Sequence, residues 1–159
     1  MKLHTGAFLA GLLVVAALAE ADPGKVSGSY LANGKEAKLV FVTAAPHPTW
    51  EGQAAYYLVL SEKDPGAAES PNLEAMHGHL GDALVISVTA RGKVLGMVLC
   101  HEAIRNYAFS SNGDLAVRNF SIASGILSGH FYVDQPGEFF GDTYNVDLTV
   151  TAVLPPAER

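Results

Sequence analysis

The chain has 159 residues, with 10 Lys or Arg against 16 Asp or Glu, and its formal net charge is −6 at pH 7. This acidic balance argues against nucleic acid or an anionic membrane surface as the main partner, because both bind through basic patches. The single cysteine excludes an intramolecular disulfide framework, so the burial of apolar residues, which make up 49% of the chain, must supply the stability.

The first nineteen residues have the features of a secretory signal peptide. Lys2 precedes an apolar run from Ala7 to Leu18, and Ala17-Leu18-Ala19 forms a small-x-small cleavage site before the acidic Glu20. The apolar run is shorter than the roughly 20 residues that a transmembrane helix needs. We therefore expect a chain exported to the periplasm or the medium, without a membrane span.

The mature chain is expected to form a single domain comprising residues 20–159, a length typical of one compact domain. Cleavage after residue 19 removes Lys2 and leaves 9 basic and 16 acidic residues, a formal charge of −7. No internal repeat or linker indicates a second domain.

Short β-branched and aromatic segments, separated by Gly, Asn, Asp and Pro, follow one another to the C-terminus. This pattern predicts an all-β fold with about eight strands, arranged as an antiparallel immunoglobulin-like β-sandwich; the alternative is a small β-barrel. Three hairpins are predicted, at Asn33-Gly34, Arg91-Gly92-Lys93 and Asn112-Gly113. The third would pair residues 106–109 with residues 115–120.

Individual strands differ in their apolar pattern. Residues 144–152 alternate between apolar and polar side chains, which is typical of a strand with one face in the core and one in water. Residues 56–60 and 84–86 are apolar on both sides, which indicates central strands covered on two faces or strands at a subunit contact.

Two segments interrupt the strands. Residues 45–52 are expected to form a loop, since Pro46 and Pro48 lack the N–H group that a central strand needs. Residues 62–81 form a longer predicted loop, in which Ser70-Pro71 is placed to cap and begin a short helical turn that ends at about Met76.

Cys100 closes an apolar run that begins at Val94. The pattern predicts a buried strand thiol with a raised pKa rather than a reactive or intermolecular cysteine.

The sequence Met76-His77-Gly78-His79 is the clearest candidate for a metal site. If the backbone is extended, His77 and His79 lie on the same face, and neutral imidazole suits zinc or copper, while a thioether suits Cu(I). Two ligands do not complete a site, so His101, His130 or Met76 would have to complete the shell. A solvated polar loop is the alternative interpretation.

No motif predicts nucleophilic catalysis, since the sequence contains neither the Gly-x-Ser-x-Gly elbow nor the Ser-x-x-Lys signature. His101 and Glu102 are adjacent in sequence, and neighbours in a strand point to opposite faces. A hydrolase of unrecognised type would therefore require a cleft in which a histidine lies beside a carboxylate from elsewhere in the chain.

Three stretches carry a resemblance: Val26-Ser-Gly-Ser-Tyr30 with Asn33-Gly-Lys35, Ala123-Ser-Gly-Ile-Leu127, and the segment from Glu138 to Leu148. With these stretches the chain resembles a group of uncharacterised bacterial exported β-rich proteins. The resemblance implies an export signal, a β-rich domain and a location in the bacterial envelope. It implies no activity and no catalytic residues.

The sequence favours a non-catalytic exported protein that binds a protein or an envelope component through its loops or an exposed sheet face. An exposed apolar patch near Trp50, Phe139 and Phe140 would support this function. A periplasmic copper or zinc binder using His77 and His79 and a hydrolase are the two alternatives.

Overall fold

The computed structural model describes residues 24–112 and 114–156, so the predicted signal peptide lies outside the described residues. The described part of the chain forms eleven strands and one short helix. Their bounds are β1 (Lys25–Ala32), β2 (Lys35–Glu36), β3 (Phe41–Trp50), β4 (Gln53–Ser61), α1 (Pro71–Met76), β5 (Ala83–Thr89), β6 (Val94–Cys100), β7 (Ala108–Ser111), β8 (Ala116–Ala123), β9 (Ile126–Tyr132), β10 (Gly137–Phe139) and β11 (Asp142–Val153).

The strands form two antiparallel sheets. The six-stranded sheet has the order β2-β1-β11-β9-β8, with β10 also paired to β11, and the five-stranded sheet has the order β3-β4-β5-β6-β7. Both sheets are open, so the predicted sandwich is confirmed, with more strands than the sequence indicated. No helix in the described ranges is long and apolar enough to cross a membrane.

The main core lies between the two sheets. Strand β11 supplies alternate side chains to it, and Tyr144, Val146, Leu148, Val150 and Ala152 are all buried. The predicted alternation of this strand is therefore confirmed. The opposite sheet contributes inward-facing residues of its central strands, among them Leu58, Leu60, Leu84, Ile86, Met97 and Leu99.

A second apolar cluster lies on the other side of the five-stranded sheet. It includes Val59 and Val85, which α1 and the following loop cover with Ala75 and Leu80. This covering explains why β4 and β5 are apolar on both faces, as the sequence predicted. Cys100 belongs to the same cluster, and burial raises the pKa of its thiol to about 12, which confirms the predicted inert cysteine.

The hairpin predicted at residues 91–93 joins β5 to β6 and is confirmed. The hairpin at Asn33-Gly34 also forms, but its second arm is only the two-residue strand β2, after which the chain passes to the other sheet.

The hairpin predicted at Asn112-Gly113 is wrong. Strand β7 pairs with β6 and strand β8 pairs with β9, so the two predicted arms belong to different sheets. Leu115 is buried in the core where the chain crosses between the sheets, and this burial outweighs the local turn signal. The hairpin partner of β8 is reached instead through Ser124-Gly125, both of which have positive φ.

The proline-containing loop predicted at residues 45–52 is largely strand. Pro46 and Pro48 lie in β3, which is an edge strand with a register irregularity between His47 and Trp50. An edge strand tolerates proline because one side of it has no ladder partner. The prediction that Pro46 and Pro48 do not lie in a central strand is therefore confirmed, whereas the prediction that residues 45–52 form a loop is wrong.

The predicted helical turn is confirmed as α1, with Pro71 at its first turn. The predicted side-chain cap is absent; instead the carbonyl oxygen of Ser70 accepts hydrogen bonds from the N–H groups of Leu73 and Glu74.

Candidate functional site

The most exposed aromatic side chain of the described residues lies at the tip of a hairpin. Strands β10 and β11 pair up to Phe139 and Asp142, leaving Phe140-Gly141 as a two-residue turn. Both turn residues have positive φ, +49° at Phe140 and +88° at Gly141, as in a type I′ turn. Phe140 is 83% exposed. We call Phe139 and Phe140 together the aromatic tip.

The aromatic tip is supported from the core. The rings of Phe139 and Phe109 stack with centroids 4.6 Å apart and an interplanar angle of 7°, and Phe140 meets Phe139 edge-on at 4.5 Å. Phe109 packs against the core and contacts the buried Tyr144 at 5.7 Å. Because each ring rests on the next, the exposed ring is held in place rather than being free to collapse onto the surface.

A cleft of about 220 Å³ adjoins the aromatic tip, and its wall includes Ile104, Arg105 and Asn106. Asp142 also lines the cleft, and its Oδ1 accepts a 2.9 Å hydrogen bond from Asn33 Nδ2. Its Oδ2 accepts a hydrogen bond of 3.2 Å from the backbone N–H of Arg105. These two hydrogen bonds, chiefly that from Asn33, lower the pKa of Asp142 below its ordinary value.

Trp50 does not join this cluster. It is 43% exposed and lines another cleft, of about 320 Å³, together with His47 and Gly96. Lys93 Nζ lies 5.7 Å from the centroid of the indole ring. The two clefts share no lining residue, so of the predicted aromatic patch only the two phenylalanines come together.

His77 and His79 follow the C-terminus of α1 and are both exposed. The sequence interpretation assumed an extended backbone between the two histidines. This assumption is wrong, because Gly78 has φ of +80° in the turn that ends the helix. The two rings are nevertheless close, with centroids 5.9 Å apart. His79 Nδ1 lies 2.6 Å from Glu74 Oε2, a neighbour that sequence reasoning missed.

The other two histidines considered for this site have partners elsewhere. His101 is buried beside Asp82, and His130 lies in β9, close to Asp147. No group of three or more His, Cys, Asp or Glu side chains within the described ranges is arranged to hold a metal ion. Zinc or copper binding at His77 and His79 therefore stays a prediction that rests on these two residues alone.

A histidine beside a carboxylate, the feature that a hydrolase would need, occurs in the interior. His101 Nε2 lies 3.3 Å from Asp82 Oδ2, with His101 1% and Asp82 8% exposed. The N–H of Ala103 donates to His101 Nδ1, which places the proton of a neutral ring on Nε2. The pKa of the Asp82 carboxyl is raised, chiefly because burial disfavours its charged form. Because the pair is enclosed, it has the character of a structural contact rather than of a site that a substrate reaches.

Sequence reasoning missed Asp82 because it lies 19 positions before His101 and next to no motif. The same holds for Phe109, which meets the aromatic tip only through the assembly of the two sheets. Comparison with protein-family models, with curated proteins and with solved structures found no match to this chain.

Proposed function

We propose that the chain is an exported, non-catalytic β-sandwich protein that binds another protein through the aromatic tip and the adjoining cleft. The single observation that carries this proposal is Phe140, which is 83% exposed and has a φ of +49° at a hairpin turn.

The conformation of Phe140 is unfavourable for its residue type. A non-glycine residue with left-handed backbone geometry costs about 1–2 kcal/mol, and Asn, Asp or Gly is usual at this turn position. Burial does not offset this cost, since most of the side chain is in water. Residues held in such strained positions cluster at sites of function, so a binding role explains why a large apolar ring is placed there.

The surroundings of the aromatic tip suit a protein partner. Arg105 and Asn106 provide polar groups beside an apolar cleft, and aromatic and arginine side chains are enriched among residues that dominate binding energy. The rigid stack on Phe109 reduces the conformational entropy lost on binding. The formal charge of −6 makes nucleic acid and anionic lipid poorer partners than a protein surface.

The proposed export of the chain rests on residues 1–19. It is supported by the basic end, the short apolar run and the Ala17-Leu18-Ala19 site. Intact-mass analysis of the protein recovered from its native host tests it: the expected mass corresponds to a chain beginning at Glu20, and a chain that retains Met1 would contradict it.

Binding can be tested with a photo-cross-linking amino acid placed at position 140 in the host cell. Val40, which is 61% exposed, provides the matched control position. We expect an adduct of discrete mass from position 140 and none of that mass from position 40. Purified wild-type protein should compete for the adduct, whereas the Phe140→Asn variant should not.

Three outcomes would contradict the proposal: no adduct at position 140, the same adducts from both positions, or equal competition by wild type and variant. An adduct with twice the mass of the chain would identify a second copy as the partner.

A further inference from the structure

A buried tyrosine lies beneath the aromatic tip. Tyr144 in β11 is 3% exposed, and its register partner in β10 is Gly137. Residues directly opposite one another in an antiparallel pair have their side-chain positions on the same face of the sheet. Phe139 lies two residues along β10 from Gly137, so its side chain is on that face as well. Tyr144, Gly137 and Phe139 therefore share the face of the hairpin that is turned towards the other sheet.

Gly137 gives the tyrosine ring the space that it occupies. A Cβ atom added at Gly137 would lie 2.5 Å from Tyr144 Cε1 and closer still to Cζ and Oη. Gly137 does not have a positive φ, so its backbone conformation is one that alanine also adopts. An aromatic ring that lies across a glycine of the neighbouring strand is a recurrent means of fixing strand register. Position 137 thus requires glycine because the ring of Tyr144 fills the place of a side chain.

The hydroxyl group of Tyr144 fixes the far end of the ring. It donates a 2.6 Å hydrogen bond to Asp114 Oδ2, and the Ser111 hydroxyl donates to the same oxygen at 3.0 Å. A hydrogen bond to an ionised carboxylate is stronger than one between neutral groups. Asp114 lies between β7 and β8, where the chain crosses from one sheet to the other. The bond therefore ties the hairpin of the aromatic tip to the connection between the sheets.

Tyr144 also contacts the ring that supports the aromatic tip. The centroids of Tyr144 and Phe109 are 5.7 Å apart at an interplanar angle of 60°, and Phe109 stacks on Phe139. Close-packed interiors contain few voids, so a displaced Tyr144 ring forces Phe109 to move with it. We infer that Tyr144 is the positioning residue of the aromatic tip, held in place by Gly137 and Asp114.

This role of Tyr144 rests on the proposed function, because it prepares the aromatic tip for the partner. The position of the ring stack can be measured without a partner, by fluorine NMR of the purified protein with para-fluorophenylalanine at position 139. The fluorine chemical shift depends on the neighbouring aromatic rings. It therefore reports whether Phe109 and residue 139 are still stacked.

Two variants disturb Tyr144 in different ways. Gly137→Ala adds the Cβ that displaces the ring, and Tyr144→Phe removes only the hydroxyl that bonds to Asp114. Gly129→Ala is the matched control, since it adds a Cβ in β9 of the same sheet, 3.1 Å from side-chain atoms of Phe131 and Val117. The register partner of Gly129 is Val150, at the other end of β11 from the aromatic tip. Thermal unfolding verifies that each variant is folded.

We expect Gly137→Ala to move the fluorine signal towards its position in the urea-unfolded chain. Tyr144→Phe should move the signal in the same direction by a smaller amount, whereas Gly129→Ala should lose stability without moving it. As a competitor for the adduct at position 140, Gly137→Ala should require about tenfold more protein than wild type. The reason is that the partner must then order rings that the wild type already holds in place. Gly129→Ala should compete as wild type does.

The role of Tyr144 is overturned if the signal of folded Gly137→Ala coincides with that of wild type, if Gly129→Ala moves the signal equally, or if Gly137→Ala competes as well as wild type. If Gly137→Ala does not fold, an unmoved signal in Tyr144→Phe overturns it. The fluorine measurement requires no partner. Absence of an adduct from wild type therefore contradicts the proposed function alone, and an unmoved signal with the adduct retained contradicts only the role of Tyr144.

Discussion

The ring of Phe139 lies parallel to that of Phe109, with centroids 4.6 Å apart and an angle of 7° between the planes. Phe139 belongs to β10 of the six-stranded sheet and Phe109 to β7 of the five-stranded sheet, so this stack joins the two layers at one end of the sandwich. The exposed ring of Phe140 rests edge-on against Phe139. The contact thus connects the packing of the core to the surface that we propose binds a partner.

The Phe109–Phe139 stack should contribute a measurable coupling energy. We expect a double-mutant cycle of Phe109→Leu and Phe139→Leu, measured by urea unfolding, to give a coupling of about 0.5–1.5 kcal/mol, typical of aromatic pairs. Each single variant will also lose stability through imperfect packing, and the cycle removes that contribution. Strictly additive losses would show that the two rings do not stabilise one another.

The Phe140→Asn variant should be more stable than the wild type. Asn adopts the left-handed conformation more readily than Phe, so relief of strain should raise the free energy of unfolding by about 0.5–1 kcal/mol. Urea unfolding measures the change, and Phe140→Ala is the control, because alanine removes the ring but keeps the unfavourable backbone conformation. A loss of stability in Phe140→Asn would mean that the contact of the Phe140 ring with Phe139 outweighs the backbone strain, and it would remove the argument for a binding role.

Asp114 should make stability depend on pH in the acid range. The Tyr144 hydroxyl donates to its Oδ2 at 2.6 Å and the Ser111 hydroxyl at 3.0 Å, and these bonds lower the pKa of the carboxyl below its ordinary value of 3.8. A lowered folded-state pKa means that the stabilisation is present above the unfolded-state pKa and is lost as pH falls through the folded-state pKa.

The Asp114→Asn variant should therefore be less stable than the wild type at neutral pH, and the difference should disappear at the acid end. Thermal unfolding between pH 7 and pH 2 measures it. A difference that stays constant across this range would show that ionisation of Asp114 plays no part.

Cys100 should resist thiol reagents in the folded protein. Its side chain is fully buried, and burial raises the pKa of the thiol to about 12, so little thiolate is present or accessible near neutral pH. We expect no reaction with a chromogenic disulfide at pH 8 under native conditions and one equivalent of reaction in urea. Rapid labelling of the native protein would contradict the placement of Cys100 beneath α1.

Local sequence determined the elements whose signals are complete within a few residues. The alternation of residues 144–152 produced β11, and the turn at residues 91–93 produced the hairpin of β5 and β6. Pro71 marked the start of the short helix, and the apolar run before Cys100 marked a buried strand. In each case periodicity or turn chemistry is enough, because the pattern reports which face of the chain avoids water.

Only the tertiary structure decided how these elements meet. Asn112-Gly113 has the composition of a hairpin turn, yet the burial of Leu115 sends the two flanking strands to opposite sheets. The same long-range pairing places Phe109 under Phe139, Asp82 beside His101, and Arg118 in one row with His130 and Thr149. Sequence separation does not encode such contacts, because they arise from sheet order and from the register that buries the core residues of both sheets together.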